Sequence, residues 1–368
     1  MKRKEQEQRF VSASTTPDAK EIAAKFQRLK EEKNNRVQKY PAKRQKPADD
    51  IASTVAGHYN NRDDVGVQMR KESPIFNLKQ FNNWIKSVLI KRYVKQGGTV
   101  LDLCCGKGGD LQKFQQNKVK TYYGADIADK SVKDAVQRYN QTAGSNKQFT
   151  FAANFISGDC TKKPLSSVIP ANVTFDSVSC QFALHYSFET EQQARQLMLN
   201  ATEKLKSGGY FVCTVPDAYV LVKKLRSVES LTIQNKIVKA CFKTKKFTEV
   251  FGNQYSFELL DAIDDCPEYL VPCKDFVALA KEYGLSVVEE KNFHEFFETW
   301  SEHDDFKFLT DRVYKLREGN MTADEWEAIY LYRAFVFRKD GQADQQDAYN
   351  PSQNFFKLVD PLKDIKYL

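Results

Sequence analysis

The chain has 368 residues and a net charge of +8, with 41% hydrophobic and 28% charged residues, which fits a soluble globular protein of one large or two ordinary domains. The lack of any run of about 18 apolar residues excludes a transmembrane helix, and the charged first residues argue against a secretory signal. The eight cysteines include no CxxC pair and no His/Cys cluster, so reduced thiols are expected rather than disulfides or a zinc site.

The first fifty residues differ from the rest in charge. They hold 14 Lys/Arg against 8 Asp/Glu, and this basic, polar composition predicts a disordered arm over residues 1–50. One weak helix is expected at Glu21–Lys33, where Ile22, Phe26 and Leu29 share a face. Such an arm suits contact with nucleic acid, an import signal or a solvated tail, and composition leaves these three open.

Residues 51–339 have the pattern of one α/β domain. A helix is predicted at Asn82–Tyr93, and a strand at Thr99–Cys104 then leads into a glycine-rich turn. The alternation continues with strands predicted at Thr121–Ala125, Phe149–Ile156, Phe175–Cys180 and Gly209–Thr214, and helices at Ser131–Tyr139 and Glu189–Lys206. This order predicts a parallel sheet with right-handed crossovers.

The alternation of predicted strands and helices is interrupted after Pro216. Lysine-rich sequence with short apolar runs predicts an insert at about 223–270. The alternation then resumes, with predicted helices at Asp275–Tyr283 and Glu325–Leu331 and strands at Leu285–Glu289 and Ala334–Arg338. Residues 340–368 are interpreted as a polar linker and a C-terminal tail. Within it, Phe355–Leu368 is either a docking peptide or a frayed end, and the lack of a clear period favours the frayed end.

Three features follow predicted strands. The glycine loop Gly106–Gly109 comes after the first strand, but similar loops occur in many nucleotide-binding folds. Asp126 ends the second strand, where a carboxylate suits both ribose hydroxyls of an adenosine. Asp159 follows the third strand, where it suits the adenine amino group. Each acid also suits a helix cap. Together they predict a site for an adenosine-containing cofactor at the carboxyl edge of the sheet.

The spacing of the loop narrows the choice of cofactor. It is neither GxxxxGK[ST] nor GxGxxG, which disfavours a Walker phosphate loop and NAD. Asp110 follows the loop directly, near a predicted helix start. An acid there disfavours a pyrophosphate and suits the cationic sulfonium of S-adenosylmethionine.

Six segments share their sequence with one family: Phe81–Ile90, Val100–Leu111, Gln181–Glu189, Ala125–Ala128, His58-Tyr59-Asn60 and Phe251-Gly252. They resemble the eukaryotic mRNA cap guanine-N7 methyltransferases, over roughly residues 55–338. The resemblance implies a class I S-adenosylmethionine-dependent methyltransferase fold, which is Rossmann-like with a mostly parallel seven-stranded sheet flanked by helices and an insert after the fifth strand. It implies methyl transfer to N7 of the cap guanosine. Because N7 has a free lone pair, we expect direct in-line displacement without a catalytic base, a covalent intermediate or a metal.

The resemblance also implies two sets of binding residues. The cofactor set is Lys86, Cys104, Asp126, Asp159, Gln181 and Tyr186, and the cap set is Asn82, Asn83, Lys107, Lys113, Arg138, His185, Glu268 and Tyr332. The cations of the cap set suit a triphosphate bridge, and one carboxylate can accept from both N1–H and the N2 amino group of guanine. Several assignments have an ordinary alternative: solvated helix faces for Lys113 and Arg138, a core histidine for His185, a surface acid in a loop for Glu268, and Tyr330 in place of Tyr332.

This chain departs from the family at Cys104, where glycine is usual. Glycine lets the methionine part of the cofactor approach the backbone, whereas a cysteine either crowds that approach or lies aside as a small apolar residue. We therefore expect cofactor binding that is retained but weakened.

Two rival functions stay open: methylation of another RNA site or a small molecule, and a non-catalytic cap-binding subunit, which only Cys104 favours. An NAD-dependent enzyme is disfavoured by the loop. The resemblance implies a nuclear location and action on capped pre-mRNA 5′ ends, together with the capping guanylyltransferase and RNA polymerase II. We expect a monomeric core with no membrane contact.

Overall fold

The alternating pattern forms a central sheet in a computed structural model, which describes residues 73–315, 321–343 and 352–368 together with Gly57 and Asn350. The strands are β1 (Thr99–Leu103), β2 (Thr121–Asp126), β3 (Ala152–Ser157), β4 (Phe175–Gln181), β5 (Leu205–Pro216), β6 (Thr232–Gln234), β7 (Val238–Phe242), β8 (Gln254–Leu259), β9 (Ile263–Tyr269), β10 (Leu285–Asn292), β11 (Tyr332–Lys339) and β12 (Lys366–Tyr367). The α-helices are α1 (Phe76–Tyr93), α2 (Leu111–Gln116), α3 (Asp129–Asn140), α4 (Glu191–Thr202), α5 (Ala218–Ser227), α6 (Cys273–Glu282), α7 (Phe293–Trp300), α8 (Asp304–Lys315) and α9 (Ala323–Ile329), and short 3₁₀ helices span Leu165–Ser167 and Leu184–Glu189. The basic arm with its predicted helix, and His58-Tyr59-Asn60, lie outside the described residues.

The strand order is β10-β11-β5-β4-β1-β2-β3-β12. Strand β1 pairs in parallel with both β2 and β4, and β11 runs antiparallel between β5 and β10. The mostly parallel sheet predicted from the sequence is thus confirmed. Because the chain order reverses at β1, the carboxyl ends of β1, β2 and β4 border a crevice, which is where such sheets bind ligands.

The C-terminal segment is docked, so the frayed end favoured by the sequence is wrong. Strand β12 pairs in parallel with β3 and adds an eighth strand to the seven expected. Upstream of it, the Asn140 side chain both donates to the Val359 carbonyl at 2.7 Å and accepts from its N–H at 3.0 Å. The Phe356 ring lies 4.8 Å from the Tyr139 ring. A few anchoring contacts spaced along an extended segment leave no period in the sequence, which explains the wrong expectation.

Helix α1 buries one face and leaves the other for the site. Phe81 and Trp84 are buried together with Val88 at spacings of three and four residues, which places them on one side of a helix. The Trp84 ring lies 5.1 Å from the Phe297 ring of α7, and its Nε1–H donates to Thr310 Oγ1 of α8 at 3.1 Å. Helices α7 and α8 were not predicted from the sequence. In the described parts of the chain, no helix has both the length and the apolar character needed to cross a bilayer.

The predicted insert is a separate antiparallel sheet with the order β6-β7-β8-β9. Strand β9 lies at its edge and contains Pro267, which an edge strand tolerates because one side of its backbone has no partner strand. Glu268 therefore lies on a strand, where it faces Tyr255 of β8, and the loop expected around it is wrong. The insert is tied to the main domain by the Gly252 N–H, which donates to the Phe188 carbonyl at 2.9 Å.

Candidate active site

A cavity of about 270 Å³ opens at the carboxyl ends of the central strands. Its wall includes five of the six residues expected at the cofactor, namely Cys104, Asp126, Asp159, Gln181 and Tyr186. They come from four different loops or strand ends, and the parallel register of the strands brings them together. The geometry expected from the sequence, in which polar residues at successive strand ends converge, is therefore present.

Asp126 at the end of β2 is fixed by two backbone contacts. Its Oδ2 accepts from the Gly106 N–H and its Oδ1 from the Ala128 N–H, each at 2.8 Å. Burial raises the pKa of this carboxyl, and the two N–H donors oppose that shift. Each carboxylate oxygen has two lone pairs, so the side chain can still accept from a ligand diol while the backbone holds it in place.

Asp159 presents an unsatisfied acceptor to the cavity. Its Oδ1 accepts from the N–H and the hydroxyl of Thr161, at 2.9 and 2.6 Å. Its Oδ2 is buried and has no hydrogen-bond partner among the described residues, and Lys162 Nζ lies 3.6 Å away. A buried acceptor without a donor is destabilising unless a ligand supplies one. The position therefore fits the amino group of an adenine.

The docked tail reaches the segment that bears this acid. The Leu368 N–H donates to the Ser157 carbonyl at 3.0 Å. Gly158 has a φ of +151°, and a Cβ at this position would lie 2.5 Å from Leu368 Cβ. Only glycine therefore allows the tail to approach so closely. The tail thus packs directly against the backbone next to Asp159.

The turn after β1 contains several residues in the left-handed region. Cys104 has a φ of +57°, a conformation that is costly for residues with a Cβ and that explains why glycine suits this position. At Gly108, with a φ of +68°, a Cβ would lie 2.6 Å from Leu111 Cδ1. The Cys104 Sγ lies 4.0 Å from Cys160 Sγ, so the cysteine side chain forms part of the cavity wall.

Asp110 is the centre of a buried ion cluster. Lys86 Nζ and Lys113 Nζ lie 2.7 and 2.8 Å from its Oδ1, and Lys113 also donates to Asn83 Oδ1 at 2.9 Å. Burial favours the neutral acid, but the two lysines outweigh it and lower the pKa of Asp110. Two lysines therefore compensate its charge, which removes the electrostatic argument that linked Asp110 to a sulfonium. The Lys113 side chain is 12% exposed, which also excludes a solvated helix face.

Three other expected cap residues lie on the turn after β1, on α3 and on α1. Lys107 Nζ pairs with Asp134 of α3 at 2.9 Å, and Arg138 follows Asp134 by one helical turn and is half-buried. On α1, Asn82 Oδ1 is buried without a hydrogen-bond partner in the described structure. Lys86 is not in the cavity wall, since its ammonium group faces Asp110.

A buried polar cluster of Glu268, Tyr255 and His185 lies between the main domain and the insert. Glu268 is 2% exposed, and its Oε2 accepts from the Tyr255 hydroxyl at 2.6 Å. Its Oε1 lies 3.5 Å from His185 Nε2. Both ring nitrogens of the buried His185 lack hydrogen-bond partners within the described residues. A buried ring with neither nitrogen in a hydrogen bond is unusual, and Glu268 is its nearest charged neighbour.

Two aromatic residues of this region were missed by the sequence analysis. Phe182 has a φ of +58° and lies in the cavity wall, while its ring is 5.2 Å from that of Tyr332 at the start of β11. The Tyr330 ring instead packs against His294, with the ring centres 4.9 Å apart, which favours Tyr332 as the site residue. Tyr255 was missed because only the register of β8 against β9 places it opposite Glu268.

A parallel sheet with one antiparallel strand, a glycine turn after β1 and acids after β2 and β3 defines a class I methyltransferase fold. The model of the mRNA (guanine-N(7))-methyltransferase domain matches residues 42–340, and the chain belongs to this family. This membership contradicts the alternative of an NAD-dependent enzyme.

Curated relatives with this name cover most of the chain. This chain is 43% identical to mRNA cap guanine-N(7) methyltransferase 1 of Arabidopsis thaliana over 308 residues. The aligned region covers 80% of this chain and 83% of the plant protein. Identity to the protein of the same name from Oryza sativa subsp. japonica is 43% over 330 residues, or 86% and 89% of the two chains. The mRNA cap guanine-N(7) methyltransferase of Saccharomyces cerevisiae is 36% identical over 327 residues, or 82% and 73%.

Proposed function

We propose that the protein transfers the methyl group of S-adenosylmethionine to N7 of the guanine in the mRNA cap. One observation is decisive. Two successive residues of the 3₁₀ helix Leu184–Glu189 face two sites, because Tyr186 lies in the wall of the strand-end cavity while His185 lies 3.5 Å from Glu268. A donor in the cavity and an acceptor base beside Glu268 would therefore be neighbours, as a direct transfer requires.

The cavity residues fit S-adenosylmethionine. We assign Asp126, which two backbone N–H groups hold in place, to the ribose hydroxyls. Asp159 has an oxygen without a hydrogen bond that can accept from the adenine amino group. Gln181 and Tyr186 add polar side chains to the cavity wall. When bound, S-adenosylmethionine supplies a methyl group on a positively charged sulfur, which is a good leaving group. We assign Lys86 to the carboxylate of its methionine part, as a cation held beside the glycine turn by Asp110.

We assign the guanine base to the neighbourhood of Glu268. A guanine presents two adjacent donors, N1–H and the N2 amino group, and a buried carboxylate can accept from both, whereas adenine offers no such pair. His185 supplies an imidazole that can stack on the base or bond to its edge, and Tyr332 adds an aromatic wall. We assign Lys107, Lys113 and Arg138 to the triphosphate bridge and the Asn82-Asn83 pair to the adjoining polar groups.

The side chains act in this reaction by position and charge. N7 of guanine is already a nucleophile at neutral pH, so Glu268 and His185 need not remove a proton from it. Holding N7 in line with the methyl carbon can supply several kcal/mol of the barrier reduction. The buried Glu268 carboxylate adds stabilisation, since the guanine becomes positively charged as the methyl group arrives.

We further propose that the substrate is the capped 5′ end of nuclear pre-mRNA, after the capping guanylyltransferase has acted and near RNA polymerase II. The family name and the basic arm, with its 14 Lys/Arg in fifty residues, support this placement. A monomer is the working form that we propose.

The test is methyl transfer from labelled S-adenosylmethionine to RNA ending in an unmethylated guanosine cap. Parallel reactions use an N7-methylated cap and an adenosine cap, and digestion identifies the modified atom. We expect label only at N7 of the unmethylated guanosine cap. Asp126→Asn should weaken binding of S-adenosylhomocysteine, while cap affinity stays unchanged. A folded protein that binds the cap but transfers no label would favour the non-catalytic cap-binding subunit instead.

A further inference from the structure

Cys104 and Cys160 lie side by side in the wall of the strand-end cavity. Their sulfur atoms are 4.0 Å apart, although one residue follows β1 and the other follows β3. Cys104 is partly exposed, and Cys160 is 3% exposed. Neither thiol takes part in the chemistry of methyl transfer. The cavity nevertheless gives a small molecule access to both sulfurs at once.

The environment of the pair disfavours reagents that need a single thiolate. The contact with Cys104 and burial raise the pKa of the Cys160 thiol well above its usual value. The contact with Cys160 lowers the pKa of Cys104, but the contact with Cys180 and burial outweigh it and raise that pKa. Alkylation by the thiolate is therefore slow. A reagent that bonds to both sulfurs has an advantage, since its second bond forms within one molecule.

The distance between the sulfurs fits a bridge of one atom. A disulfide needs about 2.0 Å, so the two sulfurs would have to approach each other by about 2 Å. Two sulfurs bonded at about 2.3 Å to one pyramidal trivalent centre, with an angle near about 100°, lie about 3.5 Å apart, so they would have to approach each other by only about 0.5 Å. The described residues hold no group of three or more His, Cys, Asp or Glu suited to a metal ion. The pair therefore suits an atom that binds two protein ligands better than a metal ion that needs three or four.

We propose that Cys104 and Cys160 form a dithiol site for trivalent organoarsenic compounds and that the adduct blocks the strand-end cavity. With an arylarsonous acid, two S–As bonds form and two As–O bonds break. The two thiol protons leave with the two hydroxides as water. Arsenic stays trivalent and keeps its carbon substituent, so no oxidant or reductant is required. Competition with S-adenosylmethionine follows only if the proposed cofactor site is correct.

The probe is phenylarsine oxide, which hydrates to an arylarsonous acid, and the readout is native mass spectrometry of the full chain. We expect one adduct that 2,3-dimercaptopropanol reverses. Cys104→Gly and Cys160→Ser should each lower the affinity by about 10²-fold, because only one sulfur remains. Cys104→Gly should fold, since its backbone is already in the glycine region. The matched control is Cys241→Ser, which removes another partly exposed thiol, on β7, and should change nothing.

Full affinity in either single-cysteine variant overturns the proposal. An adduct lost in Cys104→Gly but kept in Cys160→Ser would assign Cys180 as the second sulfur and also overturn it. If Cys160→Ser does not fold, as judged by thermal melting, Cys160→Ala replaces it. Saturating S-adenosylhomocysteine should prevent the adduct. If that ligand does not bind at all, the proposed function fails, whereas the adduct and its loss in the two variants still decide the dithiol site.

Discussion

Replacing Glu268 by glutamine tests the proposed guanine contact with almost no change of volume. The carboxylate is 2% exposed, and its Oε2 accepts from the Tyr255 hydroxyl at 2.6 Å. If the new amide keeps its oxygen towards Tyr255, its NH₂ group faces the two donors of guanine, and both hydrogen bonds to the base are lost. If the amide turns round, the bond from Tyr255 is lost and an NH₂ group faces that hydroxyl.

The magnitude follows from the kind of hydrogen bond. A bond to a charged group contributes about 1.5–3 kcal/mol, so losing two costs about 3–6 kcal/mol. Since about 1.4 kcal/mol corresponds to a factor of ten, kcat/KM should fall by about 10²- to 10⁴-fold. The assay is methyl transfer to a guanosine-capped RNA. Glu258→Gln is the matched control, because Glu258 lies on the neighbouring strand β8, is 39% exposed and pairs with Lys239. Its rate should stay within about threefold of wild type.

An inosine cap, which lacks the N2 amino group, makes the test specific. The wild-type protein should use it at least tenfold less efficiently, because one hydrogen bond to a charged group is missing. The Glu268→Gln variant should discriminate much less between the two caps, since the partner of that amino group has already been removed. If the variant keeps full kcat/KM, or if both proteins discriminate equally, Glu268 does not read the guanine edge.

Three further results are expected. Cys104→Gly should bind S-adenosylhomocysteine several-fold more tightly by calorimetry, because removal of the side chain lets the methionine part approach the backbone. An unchanged Kd would show that the cysteine does not crowd the ligand. Burial and the neighbouring Asp110 raise the pKa of Asp102 to about 8 from an ordinary 3.8. Between these two pH values only the folded state keeps the proton. The free energy of unfolding should therefore fall as pH rises from about 4 to about 8. Asp102→Asn should flatten the decline in urea titrations, and an equal slope in both proteins would contradict the assignment. Leu368→Asp should weaken S-adenosylhomocysteine binding about tenfold by loosening Gly158, whereas Leu362→Asp, at a side chain 87% exposed, should not; equal effects would show that the tail does not position the site.

Local signals in the sequence predicted the strand-end half of the site. Asp126 and Asp159 were found because an acid that directly follows an apolar strand must lie at the carboxyl edge of a parallel sheet. The half formed by Glu268 was reached only through resemblance. The proline before Glu268 suggests a loop, and only the pairing of β9 with β8 shows a strand that places Glu268 opposite Tyr255. Half of the compensation of Asp110 was also hidden. Lys113 is a local partner, three positions downstream, but Lys86 lies 24 positions upstream and only the packing of α1 against α2 brings it close.

The docked C-terminal segment has a consequence for how the molecule is made. Asn140 and Val359 are 219 positions apart, and β12 is synthesised long after β3. Until β12 arrives, β3 lacks its pairing at Ile156 and Ser157, and unpaired groups at a strand edge invite pairing with other chains. Contacts so distant in sequence also form late, because a long loop must close first. A nascent or truncated chain therefore has a less protected sheet edge next to the strand-end cavity, and aggregation of such chains should begin at β3.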